Sequence, residues 1–149
     1  MILRSVQACA VMLTAAALVP GGAHLLALAN KIGLPQDQYF IVQGIYRGWA
    51  LLGMVLIGAL AANVILAVLQ REDRIAFLLA AAAALSIALT LVIFFTWTFP
   101  ANQATDNWTF VPPNWRQLRL QWEYSHAVNA VITFVGLFCV TLSVQSARR

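Results

Sequence analysis

Four apolar runs, each of span length and separated by polar loops and one tight turn, leave this chain little choice of fold. They cover residues 6–29, 45–69, 75–99 and about 122–144. A bilayer-crossing helix needs ~20 predominantly apolar residues, and hydrocarbon offers a backbone no hydrogen-bond partners beyond its own fold. No period-two strand pattern competes, so the runs read as helices. The expectation is an all-α fold: a four-helix transmembrane bundle, one integral membrane domain over residues 1–149, with a Trp-rich extracytoplasmic loop between helices 3 and 4. Composition agrees. Only 9% of the residues are charged and 62% are hydrophobic, against roughly 25% charged in soluble domains. The mean hydropathy is +0.81. The formal net charge of +4 is spread over span ends, which points to membrane topology and away from nucleic acid.

The first run follows Arg4 and, with Ala27-Leu28-Ala29 as an A-x-A site, has the outline of a signal peptide. Its span length favours a retained helix. Pro20-Gly21-Gly22 should break or kink that helix near its outer end, with His24 just beyond. Residues 30–43 read as a loop, with Lys31, Gly33, Pro35 and Asp37 as turn signals. Within it, Tyr39, Phe40, Ile41 and Val42 suit a short interfacial segment. The second span opens with Tyr46, Arg47 and Trp49 at headgroup level, and Gly44 with Gly48 makes a G-x-x-x-G for close helix approach. Gln70-Arg71-Glu72-Asp73-Arg74 is a tight charged turn. Ala80, Ala84 and Ala88 give the third span a smooth strip, and Pro100 is its stop signal. Cys9 and Cys139 lie inside apolar runs without C-x-x-C or metal spacing and read as small buried residues.

Arg4, Arg71, Arg74, Arg148 and Arg149 fall on one side of such a bundle, and Lys31, Arg47, Arg116 and Arg119 on the other. The positive-inside rule then favours both termini on the cytoplasmic side, and the expected location is the plasma membrane. An even number of spans brings His24, Arg47, the Trp-rich loop, Glu123 and His126 to one membrane level. The chain has 2 histidines, and this topology places them together.

Near the start of the fourth span, Arg119, Trp122, Glu123, His126, Asn129 and Thr133 follow helical spacing along one face. Charged groups at membrane depth are costly unless they pair or face a cavity, so this polar stripe is the candidate site. Glu123-x-x-His126 has the i, i+3 spacing of carboxylate and imidazole ligands in helical bundles. With only 5 acidic residues in the chain, a di-metal centre lacks ligands. No metal or cofactor is firmly implied; a haem or single metal, if held, would fall to His24 and His126. An acid–base reading is open beside it: Glu123 orients the His126 imidazole, while Arg119 or Arg47 stabilises an anion. The plainest reading makes Arg119–Glu123 an i, i+4 ion pair, with His126 satisfied by loop carbonyls.

Pro100-Ala101-Asn102, followed by Trp115, Arg119, Trp122 and His126, resembles the anthrone-oxygenase-like family of small four-span membrane proteins. The phrases VPGGAH and IYRGW, at residues 19–24 and 45–49, resemble one bacterial branch of that family. The resemblance implies a four-helix membrane fold and, in some members, oxygenation of anthrone-type polyketides to quinones without an established cofactor. It implies that Asn102, Trp115, Arg119 and His126 line the site. The family often has a basic residue where this chain has Asn129.

Two functions follow as expectations. One is a membrane enzyme with a polar pocket for a lipophilic aromatic molecule. There His126, Glu123 and Arg119 act on substrate, and Arg47, Asn102, Trp115, Trp122, His24 and Asn129 bind it. The other is a non-catalytic component: a subunit of a larger membrane complex or homo-oligomer, or a binder of quinone, lipid or haem. The glycine and alanine strips would then be subunit contacts.

Overall fold

The computed structural model describes residues 1–147; Arg148 and Arg149 lie outside the described residues. The helices are α1 (Ile2–Lys31), α2 (Gln36–Gln43), α3 (Gly53–Leu69), α4 (Arg74–Ile93), α5 (Phe99–Ala104) and α6 (Trp115–Ser146). Two 3₁₀ turns, Gly44–Tyr46 and Trp49–Leu52, lead into α3, and a π-helical segment, Phe94–Thr98, joins α4 to α5. Among the described residues, four stretches are long and apolar enough to cross a membrane: Ile2–Lys31, Trp49–Leu69, Arg74–Ala104 and Trp115–Ser146. They form a bundle in cyclic order, α1 against α3, α3 against α4, α4 against α6, and α6 back against α1.

Small side chains let these helices approach. Ala10, Ala62, Ala67, Ala80 and Ala83 pack with Leu66 and Val140 toward the end that carries the termini. Of the alanine strip, Ala80 and Ala84 are buried. A Cβ on Gly136 would lie 3.1 Å from Ser86 Cβ, and one on Gly21 would lie 3.3 Å from Ala130 Cα. Such contacts carry helix association where lipid removes the hydrophobic drive. Polar ties add to them, with Asn63 Nδ2 donating to Thr14 Oγ1 at 2.9 Å and Ser143 Oγ donating to Gln70 Oε1 at 2.6 Å.

Several local expectations give way. Pro20 sits inside an unbroken α1, which runs on through Lys31. Removing one backbone donor does not end a helix that a neighbour packs against, and Gly21 packs against Ala130 of α6. Lys31 is therefore a helix residue and not a turn signal. Pro100 does not stop the third span either, because the π segment widens the turn ahead of it and helix resumes to Ala104. Gly44 and Gly48 belong to 3₁₀ and turn structure, Gly48 with φ +87°, and a Cβ on either would meet nothing within 4 Å. That G-x-x-x-G brings no helices together. α6 begins at Trp115, about two turns before the expected start of its span. Cys9 is exposed on the outside of the bundle and Cys139 is half-buried, so the two are not the buried pair expected.

The end away from the termini is built differently. Asp106, Asn107 and Trp108 all have positive φ, at 46°, 53° and 66°. Left-handed backbone costs an L-residue roughly 1–2 kcal/mol, here offset by a bonded and packed corner. Thr105 Oγ1 accepts from Trp108 N at 3.1 Å and donates to Ala101 O at 2.8 Å. The Trp108 indole is buried against Tyr39 and Trp122, at ring separations of 5.2 and 5.5 Å.

Candidate functional site

The last turns of α1 carry His24 and Lys31 seven residues apart, a spacing that aligns them on one helix face. α2 presents Tyr39 and Gln43 one turn apart, and α6 presents Trp122, Glu123 and His126. These side chains meet beneath the Trp-rich loop. Lys31 Nζ forms an ion pair with Glu123 Oε2 at 3.0 Å. Glu123 Oε1 accepts from Tyr39 Oη at 2.9 Å and from Gln43 Nε2 at 3.4 Å. On its other side, Lys31 Nζ lies 3.4 Å from His24 Nδ1. The ammonium also sits over the Tyr46 and Trp122 rings, 4.8 and 5.4 Å from their centroids. His24, Lys31, Tyr39, Gln43 and Glu123 are all buried.

The two histidines do share a level. Their rings stack at 4.1 Å between centroids, 29° from parallel, with Trp122 edge-on to both at 4.7 and 4.3 Å. They meet by their faces, so their nitrogens do not converge on a point between them. Among the described residues, no group of three or more His, Cys, Asp or Glu side chains could hold a metal ion.

Glu123 is where expectation and structure part. Its carboxylate turns to Lys31 and α2, and makes neither the i, i+4 pair with Arg119 nor a bond to His126. The closer, more deeply buried cation wins. Arg119 instead donates from Nη1 to Leu34 O at 2.7 Å, and its guanidinium lies over Trp115 and Tyr39 at 4.8 and 5.2 Å. Arg47 is exposed and makes no ion pair among the described residues. Asn102 Oδ1 accepts from Trp122 Nε1 at 2.7 Å, which fixes the indole that borders both imidazoles. Trp115 is buried in the aromatic cluster with Tyr39. Asn129 Nδ2 donates to Thr90 O at 3.3 Å, one turn below His126.

No family model, curated protein or solved structure matches the chain.

Sequence reasoning missed Lys31, Tyr39, Gln43 and Tyr46. The i, i+7 relation of His24 to Lys31 and the i, i+4 relation of Tyr39 to Gln43 were available signals. The turn formers Gly33 and Pro35 between the two helices obscure both relations in the sequence. Tyr39 shows how closed the site is: burial, then the neighbouring Glu123 charge, pushes its phenol above the usual tyrosine range.

Two open recesses lie elsewhere, on the flanks of the bundle. One, of about 280 Å³, is bordered by Leu18, Gly22, Ala130 and Phe134 between α1 and α6. The other, of about 650 Å³, is bordered by Ile93, Trp97, Gln121, Tyr124 and Ser125 between α4 and α6. Both are almost wholly apolar, and neither is lined by Lys31, Glu123 or a histidine. The polar cluster itself is buried and lies apart from both recesses.

Proposed function

We propose that this chain is an anthrone-oxygenase-like membrane protein. In this reading both termini face the cytoplasm, and the cluster beneath the Trp-rich loop acts on a lipophilic, weakly acidic aromatic molecule. The observation that carries it is the stacked His24–His126 pair beside the Lys31–Glu123 ion pair. A base, a hydrogen-bond donor and a fixed cation stand together where water is largely excluded, and the stabilisation that a donor and a cation give to a developing negative charge is stronger there. The lipophilic substrate would arrive from the bilayer.

In the reaction, His126 takes the proton from the activated carbon between the aromatic rings. The resulting enolate adds dioxygen at that carbon, and the hydroperoxide loses water to leave a carbonyl. One dioxygen is consumed and one water released per quinone formed. Lys31 replaces Arg47 and Arg119 as the cation of the site. Oxygen uptake and quinone absorbance, measured in detergent with an anthrone-type phenol, test this directly. Dioxygen consumption that needs the protein and disappears in His126→Gln supports the reading; uptake equal to the protein-free control overturns it.

One observation favours a second reading, a non-catalytic lipid or quinone binder or membrane-complex subunit. The open recesses are apolar and flank the bundle, whereas the charged cluster is closed. Native mass spectrometry from nanodiscs, showing a bound lipid or a partner chain in a protein without turnover, would select it.

A further inference from the structure

Lys31 stands between two partners that need different things from it. An ammonium has three N–H donors and no acceptor. At 3.4 Å from His24 Nδ1 it can only donate, so Nδ1 must present its lone pair and the ring proton must sit on Nε2. We propose that Lys31 is a positioning residue that locks His24 as an Nε2–H donor and leaves His126 to serve as the acceptor of the pair.

The ammonium has little freedom to do otherwise. Glu123 holds it at 3.0 Å, Tyr46 and Trp122 cover it, and Glu123 is itself held by Tyr39 and Gln43. Constraint passes from α2 through the carboxylate and the ammonium to one imidazole. His126 is outside this chain. It is half-buried, stacks on His24, and has no hydrogen bond to Lys31 or Glu123. Two identical side chains thus become different reagents: His24 offers N–H to a developing oxyanion, and His126 offers a lone pair to the departing proton. Lys31 and Glu123 act through His24 and need not touch substrate. The chemical part of this inference rests on the proposed acid–base function; the tautomer does not.

The test is long-range ¹H–¹⁵N spectroscopy of histidine-labelled protein in micelles, with signals assigned through His126→Gln. Wild type should show His24 as a single Nε2–H tautomer. The paired variant Lys31→Met/Glu123→Gln removes both charges together, keeps an acceptor for Tyr39, and should let His24 populate both tautomers. Lys31→Arg supplies another donor-only cation and should retain the single form. An Nδ1–H tautomer in wild type, or an unchanged His24 in the paired variant, overturns the proposal. With an active protein, the paired variant should lose about 100-fold in kcat, the scale of one lost oxyanion donor, while KM moves little. Wild type without turnover but with the expected tautomers would defeat the oxygenase reading and leave the role of Lys31 standing.

Discussion

Lys31 and Glu123, from opposite ends of the chain, meet at 3.0 Å with both side chains buried, and so pin the end of α1 to the first half of α6. Removing one partner leaves the other as an uncompensated buried charge, which typically costs about 3–5 kcal/mol. Lys31→Met and Glu123→Leu should each lower stability in detergent on that scale. The double variant should recover much of the loss, because neither charge is then stranded. A double-mutant cycle on unfolding midpoints reads this, and simple additivity would refute a coupled pair.

Tyr39 gives a prediction in pH. Burial first, then the Glu123 charge, raises its phenol above the ordinary range. The unfolded chain releases that proton near pH ~10, whereas the folded chain keeps it. Below pH ~10 both states hold the proton and the group adds no slope. Above it the unfolded state binds fewer protons, so stability falls as pH rises. Tyr39→Phe should remove that alkaline slope. It should also cost about 1.5–3 kcal/mol at neutral pH, as a lost hydrogen bond to a charged group. An alkaline slope unchanged in the variant would show that Tyr39 is not its source.

What could be read beforehand divides along a physical line. Hydropathy over ~20-residue windows reports how much of a segment lipid will accept, and that sufficed for the four spans and the shared level of His24 and His126. Side-chain partners depend on rotation about each helix and on where a helix ends. Lys31 and Pro35 lie in a stretch of turn formers, yet the helix extends to Lys31 and Pro35 precedes α2. With that stretch read as a loop, Arg119 and His126 on the same helix are the partners that the sequence offers Glu123. The cation nearest in space was on another helix.

Packing separates two glycines, one at a helix contact and one in the G-x-x-x-G that brings no helices together. Gly136 packs against Ser86 across α4 and α6, where an added Cβ would crowd the Ser86 Cβ at 3.1 Å, while Gly44 faces open space. Gly136→Val should push the helices apart and lower stability by roughly 1–3 kcal/mol, the usual scale of overpacking. Gly44→Ala should stay within about 0.5 kcal/mol of wild type, as exposed substitutions do. Thermal unfolding in detergent compares the pair. Equal destabilisation at both positions would restore Gly44 as a helix contact.

The histidines and the arginines can be separated by function. His126 is half-buried and packs by ring contacts against His24 and Trp122. His126→Gln should therefore sacrifice about 0.5–1.5 kcal/mol of aromatic packing, yet reduce turnover of an anthrone-type phenol by about 100-fold or more if it is the base. Arg47 is exposed, so Arg47→Gln should leave kcat and KM near wild type. Steady-state oxygen uptake with both variants decides between the two placements of the site. Loss in Arg47→Gln with activity kept in His126→Gln would move the chemistry out of the cluster, toward the headgroups.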